Sequence, residues 1–411
     1  MGLTARAGPG PRLELADILR THARAYRASH TLSAVQEQAL RDIIQCRTAA
    51  LGGHLYRCDR CAFERPEYNC CGNRHCPKCQ TRRKEQWLES RRAELLPVEY
   101  FHLVFTLDHK INPLAPGNPR LIYGLLFRRA ADTLLEFARN PKWLGATPGI
   151  LIFLHTRGQK LDLHIHAHCI VTGGGLTKEG VWRSAKPHFL FPNHALSSVF
   201  REKFLDSLHQ ALVNDEVRLP ATGAGTRAGT GTKQIRHFIE ACKEHDWDVH
   251  AKGSYANPEG ILEYLSRYTF KTAISNERLV DQSPDEVRFR YRDYAHGNKQ
   301  RVLPLNPQEF IRRFLLHILP KRFMRVRGYG LLANRDRKRR LEKARAALGQ
   351  FEVPEPKPQK PESAEAFMLR VAGVDIRLCP RCPKGRMREV AELPPVRGPP
   401  DTNAGLEGRR L

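Results

Sequence analysis

Three groups of residues have the types and spacing to do chemistry. The first lies in Leu161–Leu176, LDLHIHAHCIVTGGGL. Its odd positions, Leu161 to Val171, are apolar, and its even positions begin Asp162, His164, His166, His168. That period of two predicts a strand with one face on a core and three imidazoles on the other. Alternate histidines on a strand sit close enough to share a metal ion, and imidazole is the commonest protein ligand for such ions. The second group is CDRCAFERPEYNCCGNRHCPKCQ, in which Cys58-x-x-Cys61 and Cys76-x-x-Cys79 have the spacing of a four-thiolate zinc site. Cys71 and His75 could replace one of those ligands or help hold a second ion. The third group is a tyrosine pair, Tyr264 and Tyr268, four residues apart in GILEYLSRYTFKTA and so on one side of a helix, with Arg267 and Lys271 beside them. A phenol with its ordinary pKa near ~10 is a poor nucleophile at neutral pH. A nearby divalent cation and basic side chains can activate it for covalent attack on a phosphate.

These residues need elements to hold them. Leu13–Arg27 and Leu32–Cys46 carry helical apolar spacing and lead into the cysteines. Glu85–Leu95 reads as a helix ended by Pro97, and Tyr100–Leu107 as a strand. Leu121–Arg139 and Ala195–Val213 read as amphipathic helices, and Gly149–Leu154 as a strand that pairs with the histidine run through a hairpin near Gly158. Gly173-Gly174-Gly175 reads as the turn that ends the histidine strand. Asn257 and Pro258 open the tyrosine helix as cap and first turn, with Ile261, Leu262 and Leu265 as its buried stripe. Val287–Leu305 reads as two strands around His296-Gly297-Asn298, followed by a helix over Glu309–Leu319. Residues 219–233, rich in Gly and Thr, read as a flexible loop.

The domain expectation follows. Residues 1–12 are disordered, 13–95 form a helical lead and zinc-binding domain, 96–350 form the core, and 351–411 are a Pro-rich linker and tail. The tail carries a lone CPRC knuckle at Cys379–Cys382, which needs ligands from elsewhere to bind metal. Cys46, Cys169 and Cys242 read as small buried residues, and His54, His102, His237 and His317 as structural.

The formal net charge is +25, and Arg301–Gln350 alone holds 14 Lys/Arg against three acidic residues. Such a surplus attracts polyanions, nucleic acid above all. Arg60, Arg65, Arg74, Lys78, Arg82, Arg83 and Lys84 flank the knuckles, where contact with phosphate is expected. No apolar run approaches the ~20 residues of a membrane span, and no signal-peptide core opens the chain. No G-x-x-x-x-G-K-[ST] is present, so nucleoside triphosphate is not an expected partner. A cytoplasmic, nucleoid-associated protein is expected.

Several stretches together resemble one family. HIHAHCIVTGGGL is similar to the histidine–hydrophobe–histidine (HUH) motif of the IS91 rolling-circle insertion-sequence transposases, and EYLSRYTFKTAISN to their nucleophile helix. YNCCGNRHCPKCQ resembles their zinc-binding segment and LLPVEYFHLVFTL the strand entering their core. HTRGQKL, at His155–Leu161, and Glu309–Leu332 also resemble family blocks, so the likeness spans roughly residues 12–345. Ile165 stands where the family usually has proline, and Arg157 where it usually has an aromatic residue.

The resemblance implies an α+β fold: a zinc-ribbon-like N-terminal domain, then an HUH core with an antiparallel sheet and helices on one face. It implies a Mg²⁺ or Mn²⁺ ion on His166 and His168, with His164, His155 and Gln159 all open as the third ligand. It further implies Tyr264 and Tyr268 as nucleophiles, structural Zn²⁺, and single-stranded and duplex DNA as partners. The expected activity is nicking and rejoining of single-stranded DNA through a 5′-phosphotyrosine during transposition. A replication initiator or relaxase would share that chemistry. A zinc-dependent DNA-binding regulator would bind without nicking.

Overall fold

The computed structural model describes residues 13–219, 231–255, 260–261, 272–350 and 362–396. Tyr264, Tyr268, Arg267 and Lys271 lie outside the described residues, as do residues 1–12, most of the Gly/Thr loop and most of the Pro-rich linker.

Helices α1 (Leu15–Ser29) and α2 (Ala34–Gln45) open the described chain. The Ser33 side chain accepts the Gln36 amide while the Gln36 side chain accepts the Ser33 amide, so two otherwise orphaned donors are satisfied at the start of α2. Their apolar stripes, Leu15, Ile18 and Leu19 with Leu40 and Ile43, bury against Phe289, Phe310 and Phe314. The helical lead therefore shares a core with chain some 270 residues later, across the boundary expected near residue 95. A hairpin of β1 (Gly53–Cys58) and β2 (Glu64–Tyr68) follows, then α3 (Gln80–Arg92).

The central sheet is built from β3 (Tyr100–Thr106), β4 (Thr147–Arg157), β5 (Leu163–Leu176), the short β6 (Trp182–Ser184) and β7 (Val249–Tyr255), with β11 (Val326–Gly330) from the basic segment. Between them run α4 (Pro119–Arg139), α5 (Asn193–Val213) and α6 (Thr232–Ala241). A second sheet holds β8 (Leu279–Gln282), β9 (Val287–Asp293) and β10 (Lys299–Leu305), followed by α7 (Pro307–Leu315). Helices α8 (Arg337–Ala347) and α9 (Ala364–Ala372) and strand β12 (Met387–Leu393) complete the described chain. The central order is β11-β4-β5-β3-β7, every pair antiparallel, with β6 on the end of β5. The fold is α+β, as expected.

Alternation along β5 sorts its two faces. Ile165, Ala167, Cys169 and Val171 pack with Phe101, Leu103 and Phe105 of β3 and Ile150, Ile152 and Leu154 of β4, under α4 and α5. Ile170 lies on the opposite face with Tyr100, Leu151, Phe153 and Ile261, covered at that end by Leu341 and Ala344 of α8 and partly buried Trp87 and Leu88 of α3. The rest of this second face carries the histidines.

The expected turn at Gly173–Gly175 is strand instead. A Cβ on Gly173 would meet the Glu99 carbonyl at 2.7 Å, on Gly174 the Trp182 ring at 2.7 Å, and on Gly175 the Thr147 carbonyl at 2.5 Å. The glycines serve close approach of neighbouring backbone and an indole rather than a change of direction. Among the described residues, no helix is long and apolar enough to cross a membrane.

Candidate active site

His166 and His168 are brought together with His155 of β4. One ring nitrogen from each lies within 4.8 Å of the others. Register explains the third member: His155 is the direct cross-strand partner of His166. The ring centroids of His155 and His168 are 4.4 Å apart, and those of His166 and His168 are 5.0 Å apart.

The tautomers suit a cation. His166 Nδ1 stands 2.8 Å from the His164 carbonyl, to which only an Nδ1–H can donate, which puts the ring's lone pair on Nε2. His168 Nδ1 is 2.8 Å from Nε2 of His102, which is itself 1% exposed. A hydrogen-bonded partner behind a ligating ring fixes that ring's orientation. His102, read from sequence as structural, is thus the buried support of His168. The signal for it was available: YFHLVFTL is a strand whose second-face position 102 lies diagonally across from His168.

His164 does not join the triad. The ladder between β4 and β5 slips by one residue between the pairs His155–His166 and Arg157–Leu163. Such a bulge breaks strict alternation, and His164, whose ring is 4.8 Å from that of His166, is not among the three histidines whose nitrogens cluster. The His164 ring lies 5.6 Å from that of His109, and burial, then the nearby His109, lowers its pKa. Gln159 is also elsewhere, with its amide near Tyr294 and the Arg292 backbone.

Guanidinium groups crowd the same end of β4. Arg157 lies two residues beyond His155, and burial followed by repulsion from Arg278 lowers its pKa to about 10. Arg325 falls to about 9 by burial, with Arg74 and Arg157 adding repulsion. Both place positive charge at the end of β4 that carries His155, where the Arg325 carbonyl accepts the Leu154 amide. Not every flanking cation is so placed. Lys78 is 2.6 Å from Glu14, and Arg74 donates to the Phe323 carbonyl at 2.7 Å.

The cysteines fall into two tetrads, and not into the single site expected from Cys58, Cys61, Cys76 and Cys79. Cys76 and Cys79 meet Cys46 and Cys71, while Cys58 and Cys61 meet Cys379 and Cys382. The hairpin is the physical reason. Cys58 and Cys61 sit at its tip, whereas Cys71 to Cys79 follow its base, where the Arg47 amide donates to the Asn69 carbonyl. Six strand residues separate tip from base by roughly 20 Å, too far for one ion. Cys46, read as a buried packing residue, is a member of the first tetrad. His75 is not; its Nε2 accepts the Leu319 amide at 3.4 Å, and burial, with Arg325 and Arg74 nearby, holds its pKa well below the ordinary value.

The first tetrad suits zinc. Its Sγ atoms lie 3.5 Å (Cys46–Cys79), 3.6 Å (Cys46–Cys76) and 3.7 Å (Cys71–Cys79) apart. Zinc–sulfur bonds of about 2.3 Å in a tetrahedron set sulfurs roughly 3.8 Å apart. Hydrogen bonding among the thiols lowers Cys46 and Cys79 and raises Cys71 and Cys76, since four neighbouring thiols cannot all ionise without a cation.

Comparison with known proteins agrees with this arrangement. Residues 18–107 match a family described as "Transposase zinc-binding domain", of the IS91 type, and residues 149–340 match a family described as "Putative transposase". The chain is 44% identical over 399 residues to "Putative transposase y4qJ" of Sinorhizobium fredii, covering 96% of this chain and 98% of that one. It is 30% identical over 339 residues to the transposase for insertion sequence element IS801 of Pseudomonas savastanoi pv. phaseolicola, covering 79% of this chain and 78% of that one. The zinc-binding match contains the whole first tetrad and the core match contains all three clustered histidines, so this chain, with DNA as its partner, belongs to the IS91 family of insertion-sequence transposases.

Proposed function

We propose that this transposase nicks and rejoins single-stranded DNA through a 5′-phosphotyrosine, using His155, His166 and His168 to hold Mg²⁺ or Mn²⁺ and Tyr264 and Tyr268 as nucleophiles. The observation that carries this reading is the convergence of three imidazole nitrogens from two paired strands on one sheet face. Ile261, fully buried on that face beside Ile170 and Phe153, supports the tyrosine assignment. Gly260 and Ile261 are helical. Tyr264 and Tyr268 stand three and seven residues after Ile261 in the sequence, the spacing expected of a nucleophile pair that shares a side with it.

A divalent ion there would polarise a phosphate oxygen and offset charge that builds on it. The guanidiniums of Arg157 and Arg325 hold the flanking backbone phosphate. One tyrosine loses its proton to solvent, and its oxygen attacks phosphorus. The bond to the 3′ oxygen breaks, that oxygen takes up a proton, and the phosphate stays joined to tyrosine through its 5′ side. The link keeps the phosphoester's energy, so a later 3′-hydroxyl reverses the attack without a nucleoside triphosphate. The second tyrosine serves a second strand transfer.

Labelled single-stranded element ends mixed with protein and Mn²⁺ should give a denaturation-resistant shifted band. Changing both Tyr264→Phe and Tyr268→Phe should abolish it while DNA binding persists. Binding without any adduct from the unaltered protein would leave a zinc-bearing DNA binder and overturn the nuclease reading.

His102 gives a second prediction. Loss of a ligand's supporting partner typically weakens metal affinity about 10- to 100-fold. Titration calorimetry with Mn²⁺ should show a loss of that size in His102→Ala protein that still unfolds cooperatively. Equal affinity in the two proteins would remove His102 from the site.

A further inference from the structure

We propose that the second tetrad, Cys58, Cys61, Cys379 and Cys382, is a zinc site that fastens the chain's tail to the N-terminal hairpin. Half of this site lies outside the segment matched to the zinc-binding family, which ends at residue 107.

Geometry supports the ion. The four Sγ atoms lie within 4.8 Å of one another, with Cys58–Cys382 at 3.7 Å and Cys61–Cys379 at 3.6 Å. Those separations match the roughly 3.8 Å of a tetrahedral four-thiolate zinc and exceed the ~2.05 Å of a disulfide. Each knuckle turns its backbone toward its own sulfur. The amides of Arg60 and Cys61 donate to Cys58 Sγ at 3.4 and 3.5 Å, and that of Gly385 to Cys382 Sγ at 3.3 Å. The tail also passes close to Cys58 at Gly385, where a Cβ would lie 2.3 Å from Cys58 Sγ. The tail turn and the hairpin tip are shaped to each other around the sulfurs.

Energetics says why an ion is needed. Strand β12 pairs with β1 from Cys58–Met387 to Gly53–Leu393, and the Asp59 carboxylate accepts the Arg386 amide at 2.8 Å. The apolar cluster beneath is small: Cys58, Cys379 and Met387 are buried, with Tyr56, Phe63 and Cys382 partly so. Residues 388–392 of β12 are exposed. A three-stranded sheet with so little apolar burial is marginal in water, and small modules of this kind are held by a metal or disulfides. Zinc bound to four thiolates supplies folding free energy outright. The sites also differ in access: Cys61 is exposed, whereas Cys46 and Cys76 of the first tetrad are buried.

Zinc measured by plasma mass spectrometry should be about two ions per chain in the full-length protein. Cys379→Ser with Cys382→Ser should lower it to about one, and Cys58→Ser with Cys61→Ser should lose the same single equivalent. Zinc content unchanged in the tail variant would overturn the proposal. Unaltered protein gives an independent reading should a variant fail to fold. Graded chelation should release zinc in two phases, the faster accompanied by protease cleavage between residues 373 and 393. Release in one phase with the tail still protected would equally overturn it.

Discussion

His166→Ala and His168→Ala should each abolish measurable covalent capture of single-stranded DNA while leaving binding within about twofold. The cluster comprises three imidazoles, so on the proposed reading removing one would leave a divalent ion with two. Metal stabilisation of charge on a reacting phosphate amounts to several kcal/mol, and each 1.36 kcal/mol is a tenfold change in rate, so the loss should be roughly 10²- to 10⁴-fold. Binding should survive because affinity for DNA comes mainly from phosphate neutralisation by basic residues, and the net charge of +25 is hardly altered. The structure sharpens this into a comparison. His155→Ala should be as damaging as His168→Ala, whereas His164→Ala, at the β-bulge and outside the cluster, should cost less than about tenfold. Initial rates of adduct formation with excess Mn²⁺ decide it. A His164→Ala defect larger than that of His155→Ala would reverse the ligand assignment.

Cys76→Ser should have the largest effect on stability. Cys76 is 1% exposed and belongs to the same core as Leu15, Ile18, Phe310 and Phe314. Structural zinc sites contribute roughly 10–16 kcal/mol to folding in small modules, and a whole domain is stable by only about 5–15 kcal/mol. Loss of one ligand there should cost more than the margin of the shared N-terminal core and yield insoluble or zinc-free protein. Cys61→Ser, at the exposed tip of the hairpin, should leave that core folded. Soluble yield and melting temperature test the contrast. Cys76→Ser protein that melts within a few degrees of the unaltered chain would show that the first tetrad does not hold the core.

The histidine strand was legible because two features coincided: apolar residues at every odd position and a histidine at three successive even ones. Its partner was less so. His155 stands alone in HTRGQKL, and only the pairing of β4 with β5 sets it opposite His166. The bulge beside His164 has no local sequence mark, since Leu163-His164-Ile165 alternates like its neighbours. Cysteine pairing was hidden for a topological reason: the hairpin that separates Cys58 from Cys76 is local, but the strand that completes its sheet comes from residues 387–393. The glycine run misled because glycine suits both turns and close approach, and here the Trp182 ring and the Glu99 and Thr147 carbonyls require the second. The helices were easier: in α5 the buried residues Leu196, Phe200, Phe204, Leu208 and Leu212 recur every fourth position.

The most direct measurement is the identity of the residue joined to DNA. Protein incubated with single-stranded element ends and Mn²⁺, then digested with nuclease and trypsin, yields a peptide bearing a residual nucleotide, which mass spectrometry locates. The mass should fall on Tyr264 or Tyr268, with none formed when Mn²⁺ is withheld or His168 is replaced by alanine. A nucleotide on any other side chain, or one formed equally well without a divalent ion, would contradict it.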